Sequence, residues 1–422
     1  MNSRERVLKA LGHMEADRVP IDVGSTGATS MGAVAYAALR RHLALPDAIP
    51  HVPSIALYDV SQQLASINSD VLNRLHGDVR PVHRLYQEWL LPRLRLDQWQ
   101  IGELTDGTAA LVPHAYCPVH NGRYFELHND NGEPVARRGE TAFYFDHVGV
   151  YHPLAEAKTV AQLEQLFKER CSGAHVVPEE EATFVGSLAR RLRDEDLYAL
   201  VFQFAGSVYE AGQHLRGYEQ WYLDIGQDRS KGMATCLAAL LAEATLSRLR
   251  QYLRVCGEAV DVFTFVDDLG SQAGPQISPE TYRGLIKPVH SEWWKCVHES
   301  STCRVMLHSC GSIFEILPDL IDAGVDIINP VHIRAKGMDP RALKRDFGGE
   351  LVFWGGGCDT QQVLPFGTPA DVEREIKSNI DTFAPGGGFV FAPVHNIQPD
   401  IPPERILQVY DAAFEYGRKA YS

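Results

Sequence analysis

His308-Ser309-Cys310-Gly311 and Cys358, within Trp354-Gly355-Gly356-Gly357-Cys358-Asp359, bring together one imidazole and two thiols. That donor set suits Zn²⁺, and three protein ligands leave the fourth tetrahedral position open, as in a catalytic rather than a structural metal site. The alternative for either thiol is simple burial, because free Cys packs as a small hydrophobe. Cys303 to Leu307 is a short apolar run that Gly311 ends, and His308 and Cys310, two apart on an extended chain, point the same way. Cys358 follows a similar run, Leu351-Val352-Phe353-Trp354, which breaks into glycines. Both clusters therefore fall just past the carboxyl ends of expected strands, where parallel α/β folds place their chemistry.

The elements that position them alternate. From about residue 196 onward, strands are expected at 197–204, 260–266, 303–307, 325–329, 351–354 and 388–392. Amphipathic helices are expected between them, at 233–255, 279–300, 313–323 and 369–383. The last opens Thr368-Pro369-Ala370-Asp371, a capping Thr followed by proline in the first turn. Six strand–helix alternations imply a parallel sheet or barrel. Arg18-Val19-Pro20-Ile21-Asp22-Val23-Gly24 supplies one of the two further strands that an eight-stranded barrel needs. The first eleven residues have helical periodicity with charges throughout, so they are no signal peptide. Residues 104–151, rich in Gly, His, Asn and aromatics, read as antiparallel hairpins with a turn at Asn129-Asp130-Asn131-Gly132. They form an excursion from the one domain, 1–422, rather than a domain of their own.

Composition narrows the function. The 422 residues are 45% hydrophobic and 22% charged, with a net charge of −14. That charge argues against nucleic acid and anionic membranes as partners. No apolar run approaches the ~18 residues of a membrane span. Eight scattered cysteines without a secretion signal point to reduced thiols and a cytoplasmic location.

Val266-Asp267-Asp268-Leu269-Gly270, Leu307-His308-Ser309-Cys310-Gly311-Ser312, Gly324-Val325-Asp326-Ile327-Ile328-Asn329-Pro330, Phe353-Trp354-Gly355-Gly356-Gly357 and Pro385-Gly386-Gly387-Gly388-Phe389 follow one another in order. These segments resemble the uroporphyrinogen decarboxylase superfamily, and within it the zinc-containing, corrinoid-linked methyltransferases. Ala392-Pro393-Val394-His395-Asn396-Ile397-Gln398-Pro399-Asp400 and the short Asp17-Arg18-Val19-Pro20 extend the match, but residues 104–151 do not share in it. The resemblance implies a TIM (β/α)8 barrel with an N-terminal helical segment and the antiparallel excursion. It also implies zinc on His308, Cys310 and Cys358. The decarboxylases of the superfamily lack the metal and hold their acidic tetrapyrrole with an arginine-rich N-terminal motif. Here no arginine follows Pro20 until Arg40, which makes a uroporphyrinogen decarboxylase the weaker alternative.

For the methyltransferase branch, two chemistries are implied. Methyl passes from a small-molecule donor, such as a methoxylated aromatic, to a corrinoid, or from methylcobalamin to a thiol. In both, zinc acts as a Lewis acid on the heteroatom that bears negative charge. Glu210, at the junction after the 197–204 strand, either completes the zinc shell, protonates a leaving phenolate, or is a helix-start carboxylate favoured by the dipole. Asp267 and Asp268 orient a ligating His, bind substrate, raise one another's pKa, or cap a loop. His395 is a pocket candidate or a structural loop histidine. Phe202, Phe204, Tyr209 and Trp354 line the pocket or fill the core. The chain has no cobalamin-binding D-x-H-x-x-G loop, so cobalamin comes on a separate corrinoid protein or as a free cofactor. The resemblance also permits a homodimer.

Overall fold

The computed structural model describes residues 1–87, 94–129, 131–149, 152–195, 197–228 and 232–421. Asp130 of the expected turn, residues 150–151 at the end of the excursion, and Asp196 lie outside that set.

Seven parallel strands form one curled sheet in the order Phe389–Val390, Val352–Trp354, Ile327–Asn329, Arg304–His308, Val262–Val266, Ala199–Gly206, Val79–Val82. Six of them fall where the sequence puts strands. The seventh, Val79–Val82, supplies the other of the two further strands. The Arg18–Gly24 segment fills the gap between the sheet's edges. Asp22 N donates to Phe391 O (2.8 Å) and Phe391 N to Pro20 O (2.8 Å) on one side, while Asp78 N donates to Ile21 O (2.7 Å) on the other. Pro20 has no N–H to offer a ladder, so the eighth position is a bridge at Ile21 rather than a full strand. The result is a TIM-like barrel.

Period-2 alternation divides the strands. Ala199, Val201, Val262, Met306, Ile327, Val352, Trp354 and Val390 form one fully buried cluster inside the ring. Val7, Ala10 and Leu11 of the helix Ser3–Leu11 belong to the same cluster and plug its base. Leu200, Phe202, Phe204, Phe263, Phe265, Val305 and Leu307 belong to the other cluster and pack against the helices. His308 is two residues beyond inward-facing Met306, and Asn329 two beyond Ile327. Both therefore share the inner face, in register at the mouth.

The helix Pro369–Phe383 has the expected bounds, with Thr368 and Asp371 completing a capping box. That arrangement stabilises a helix start by about 1 kcal/mol. The expected helix over 279–300 is instead interrupted by a π-helical stretch, Tyr282–Ile286, before Lys287–Ser300. Antiparallel pairing begins well before residue 104. Ala56–Asp59, Leu64–Ser66, Trp99–Glu103 and Ala109–Pro113 share one mixed sheet. A meander runs from Val119–His120 through Tyr124–His128 and Pro134–Gly139 to Asp146–His147. No helix among the described residues is long and apolar enough to cross a membrane.

Candidate metal centre

At the carboxyl ends of the strands, one ligand atom each from His308, Cys310 and His395 lie within 4.8 Å of one another. Cys310 Sγ stands 3.5 Å from His308 Nε2. Two donors about 2.0–2.3 Å from one tetrahedral zinc stand about 3.6 Å apart, so the pair fits such an ion. The neighbouring strand sets the orientation of His308. Asn329 Nδ2 donates to Trp354 O (3.0 Å), which turns Asn329 Oδ1 toward His308 Nδ1 at 2.8 Å. Nδ1 then carries the proton and Nε2 faces Cys310 as a bare donor. Asp268 fixes the turn beyond the strand by accepting Cys310 N (2.8 Å), and its Oδ1 lies 3.8 Å from His308 Nε2. Gly311, at φ +85°, lets the chain turn where an added Cβ would strike the backbone of Gly270.

The electrostatics suit a cation. Burial, then Asp268 and Glu210, push the Cys310 thiol well up. Burial, then Asp268 and Asp267, raise the Glu210 carboxyl to about 8. Burial, then His308, lowers His395 to about 4, which leaves its imidazole neutral and able to ligate. Without a cation this corner holds a reluctant thiol and a protonated carboxyl. A divalent ion would relieve both costs.

A family model described as uroporphyrinogen decarboxylase (URO-D) matches residues 158–416. The chain belongs to the URO-D family. Among solved structures, a methyltransferase from Methanosarcina mazei superposes with a TM-score of 0.56 at 16% identity, over 99% of each chain. The two share a fold. A Xaa-Pro dipeptidase with methionine bound in its active site gives a TM-score of 0.25 at 12% identity, over 58% of this chain and 67% of that one. That superposition is too loose to relate them. No curated protein matches the sequence.

Within this URO-D barrel the expected site residues part company. The structure does not bring Cys358 to His308 and Cys310, and the cluster's third member is His395. Cys358 is fully buried, its thiol raised by burial and then by Glu375 and Asp359. Glu375 belongs to the helix Pro369–Phe383, so the Cys358 thiol faces the helical layer, while its carbonyl accepts Val394 N (2.9 Å) beside His395. The glycines before it explain the difference. Gly355 and Gly356, at φ +108° and +75°, turn the chain out of the extended conformation that the sequence argument assumed. Asp267 does not orient a ligating histidine. It is fully buried and accepts the N–H groups that open the helix Tyr209–Arg216. Asp268 and Asp267 act together on the carboxyl of Glu210, which they help to raise. Phe202 and Phe204 lie in the helix-facing core, Tyr209 is buried with its hydroxyl on Tyr222, and Trp354 is inside the barrel, donating to Asp22 Oδ2 at 2.8 Å.

Three nearby groups escaped the sequence argument. Asn329 stands in the Ile328-Asn329-Pro330 segment, and its register opposite His308 was its only signal. Tyr144 comes from the hairpin region and bonds Asn396 Oδ1 (2.9 Å), next to His395. No periodicity could have placed it. Asp59 ends a strand of the early sheet, and burial raises its carboxyl against only the backbone N–H groups of Gln62 and Ser61.

Proposed function

We propose that the chain is a zinc-dependent methyltransferase that moves a methyl group between a small molecule and a corrinoid. The observation that supports it is the His308–Cys310–His395 cluster at the mouth of a URO-D barrel, with the raised carboxyl of Glu210 beside it. When bound, zinc would supply Lewis acidity at the heteroatom that parts with or receives methyl, and the corrinoid, brought by a partner protein, would carry the methyl. His308, Cys310 and His395 would hold the metal. Glu210, its carboxyl raised by burial and by Asp268 and Asp267, is the group placed to donate a proton to a leaving oxyanion, which favours a methoxylated aromatic donor. Asp268 holds Cys310 in place through its backbone N–H.

Decarboxylation of a polycarboxylate tetrapyrrole fits less well. The N-terminal arginines are already engaged. Arg6 and Arg18 bond Asp78, which precedes the first barrel strand and so lies at the end opposite the mouth. Arg40 bonds Asp70 and Pro46 O.

The test mixes zinc-replete protein with cob(I)alamin and a panel of methoxylated aromatics and follows the corrinoid spectrum. Methylcobalamin should form. A parallel arm with methylcobalamin and thiols reports the reverse direction. Silence in both arms together with turnover of uroporphyrinogen would overturn the proposal.

A further inference from the structure

The helix that presents Glu210 begins without a cap of its own. Its N-cap, Val208, has no capping side chain, yet the first N–H groups of a helix need acceptors. Asp267, from the next barrel strand, supplies them. Its carboxylate accepts Val208 N (3.0 Å), Tyr209 N (2.9 Å) and Glu210 N (2.9 Å), and also the Ser207 hydroxyl (2.9 Å). The remaining contact to this carboxylate comes from outside the barrel. His290, on the helix Lys287–Ser300, places Nε2 2.9 Å from Asp267 Oδ2. Its ring is 1% exposed and stacks on Trp294 at 4.6 Å. Tyr282, in the π-helical stretch, sets its hydroxyl 3.2 Å from Nδ1. One tautomer satisfies every atom: Tyr282 donates to Nδ1, and Nε2–H donates to Asp267.

We infer that His290 is a positioning residue for Glu210, acting through Asp267 on the backbone that carries it. The inference rests on the acid role proposed for Glu210 but has a structural consequence of its own. A line of contacts runs Tyr282, His290, Asp267, Glu210 N, from the helical layer to the mouth. Loss of the His290 contact frees Asp267 to turn, and the first turn of the helix loosens with it. A misplacement of about 1 Å can cost about 10²-fold in rate.

The experiment compares His290→Ala, His290→Gln and the milder Tyr282→Phe, all zinc-replete, by hydrogen exchange and by turnover. The Gln amide can still donate to Asp267, so it should rescue. In the Ala variant, amide exchange at residues 208–210 should speed up by about tenfold or more, while the strand Arg304–His308 keeps its protection. Its kcat should fall about 10²-fold with KM and zinc content unchanged. Tyr282→Phe should fall between, and it decides the matter should the Ala variant not fold. In a Glu210→Gln background His290→Ala should add little further loss, because both act on one function. Unchanged exchange at 208–210, or a full additive loss in that background, would overturn the inference. A normal rate for Glu210→Gln alone would remove the acid role, and the exchange readout would then still decide whether His290 holds this turn.

Discussion

His308 Nδ1 lies 2.8 Å from Asn329 Oδ1, and Asn329 is in turn anchored on the carbonyl of Trp354 at 3.0 Å. Two residues in register on neighbouring strands thus fix which imidazole nitrogen faces the cluster. Such partners of a ligand typically contribute 10–100-fold in metal affinity. Asn329→Ala should lower zinc affinity by about that factor, measured by competition with a chelator. Unchanged affinity would show that His308 orients itself without help.

Zinc binding should release protons. Cys310 must give up a thiol proton that burial and two carboxyl groups hold on. Calorimetric titrations in two buffers of different ionisation enthalpy should report about one proton or more per zinc, with affinity rising as pH rises. Titrations independent of buffer would rule out thiolate ligation.

Glu210→Gln should lower turnover about 10²–10⁴-fold with zinc content unchanged. The wild-type rate should fall as pH rises through the raised value of Glu210, because an acid works only while protonated. Bound zinc would move that limb to lower pH, and the Gln variant should lack it. Loss of zinc in the variant, measured on the same preparation, would make Glu210 a ligand instead.

His83 should couple stability to pH. Burial, then Arg191, depresses its folded value from 6.5 to about 4. The unfolded chain therefore binds a proton there before the folded one does, so the stabilisation is present above pH 6.5 and is lost as pH falls toward 4. His83 as a whole residue is only half-buried, so the effect is about 2 kcal/mol rather than the full value of the shift. Denaturant unfolding of wild type and His83→Gln from pH 7 to 4 should show a shallower decline in the variant. Parallel declines would contradict it.

The barrel was legible because its signals are local. Apolar runs of period 2, glycine stops and the Thr368-Pro369 start each name an element without tertiary information. The same alternation aimed His308 and Cys310 the same way, two residues apart on an extended chain. What the sequence hid depends on the path of the chain between elements. Cys358 looked equivalent to Cys310 because both follow a strand. Positive φ at Gly355 and Gly356 turns the chain before Cys358, whereas the only such turn near Cys310 comes after it, at Gly311. His395 reads equally as a pocket candidate or a loop histidine, and only the closed ring brings it to within 6.2 Å of His308, ring centre to ring centre. Asp267 looked like one half of an acidic pair, and its burial beneath another strand's helix belongs to tertiary structure alone.

The identity of the ligands can be read from the metal content of purified variants. Wild type should hold about one zinc per chain. His395→Ala and Cys310→Ala should lose the metal while staying folded, and Cys358→Ala should keep it. A Cys358→Ala protein without zinc, beside a His395→Ala protein that retains it, would make Cys358 the third ligand in place of His395.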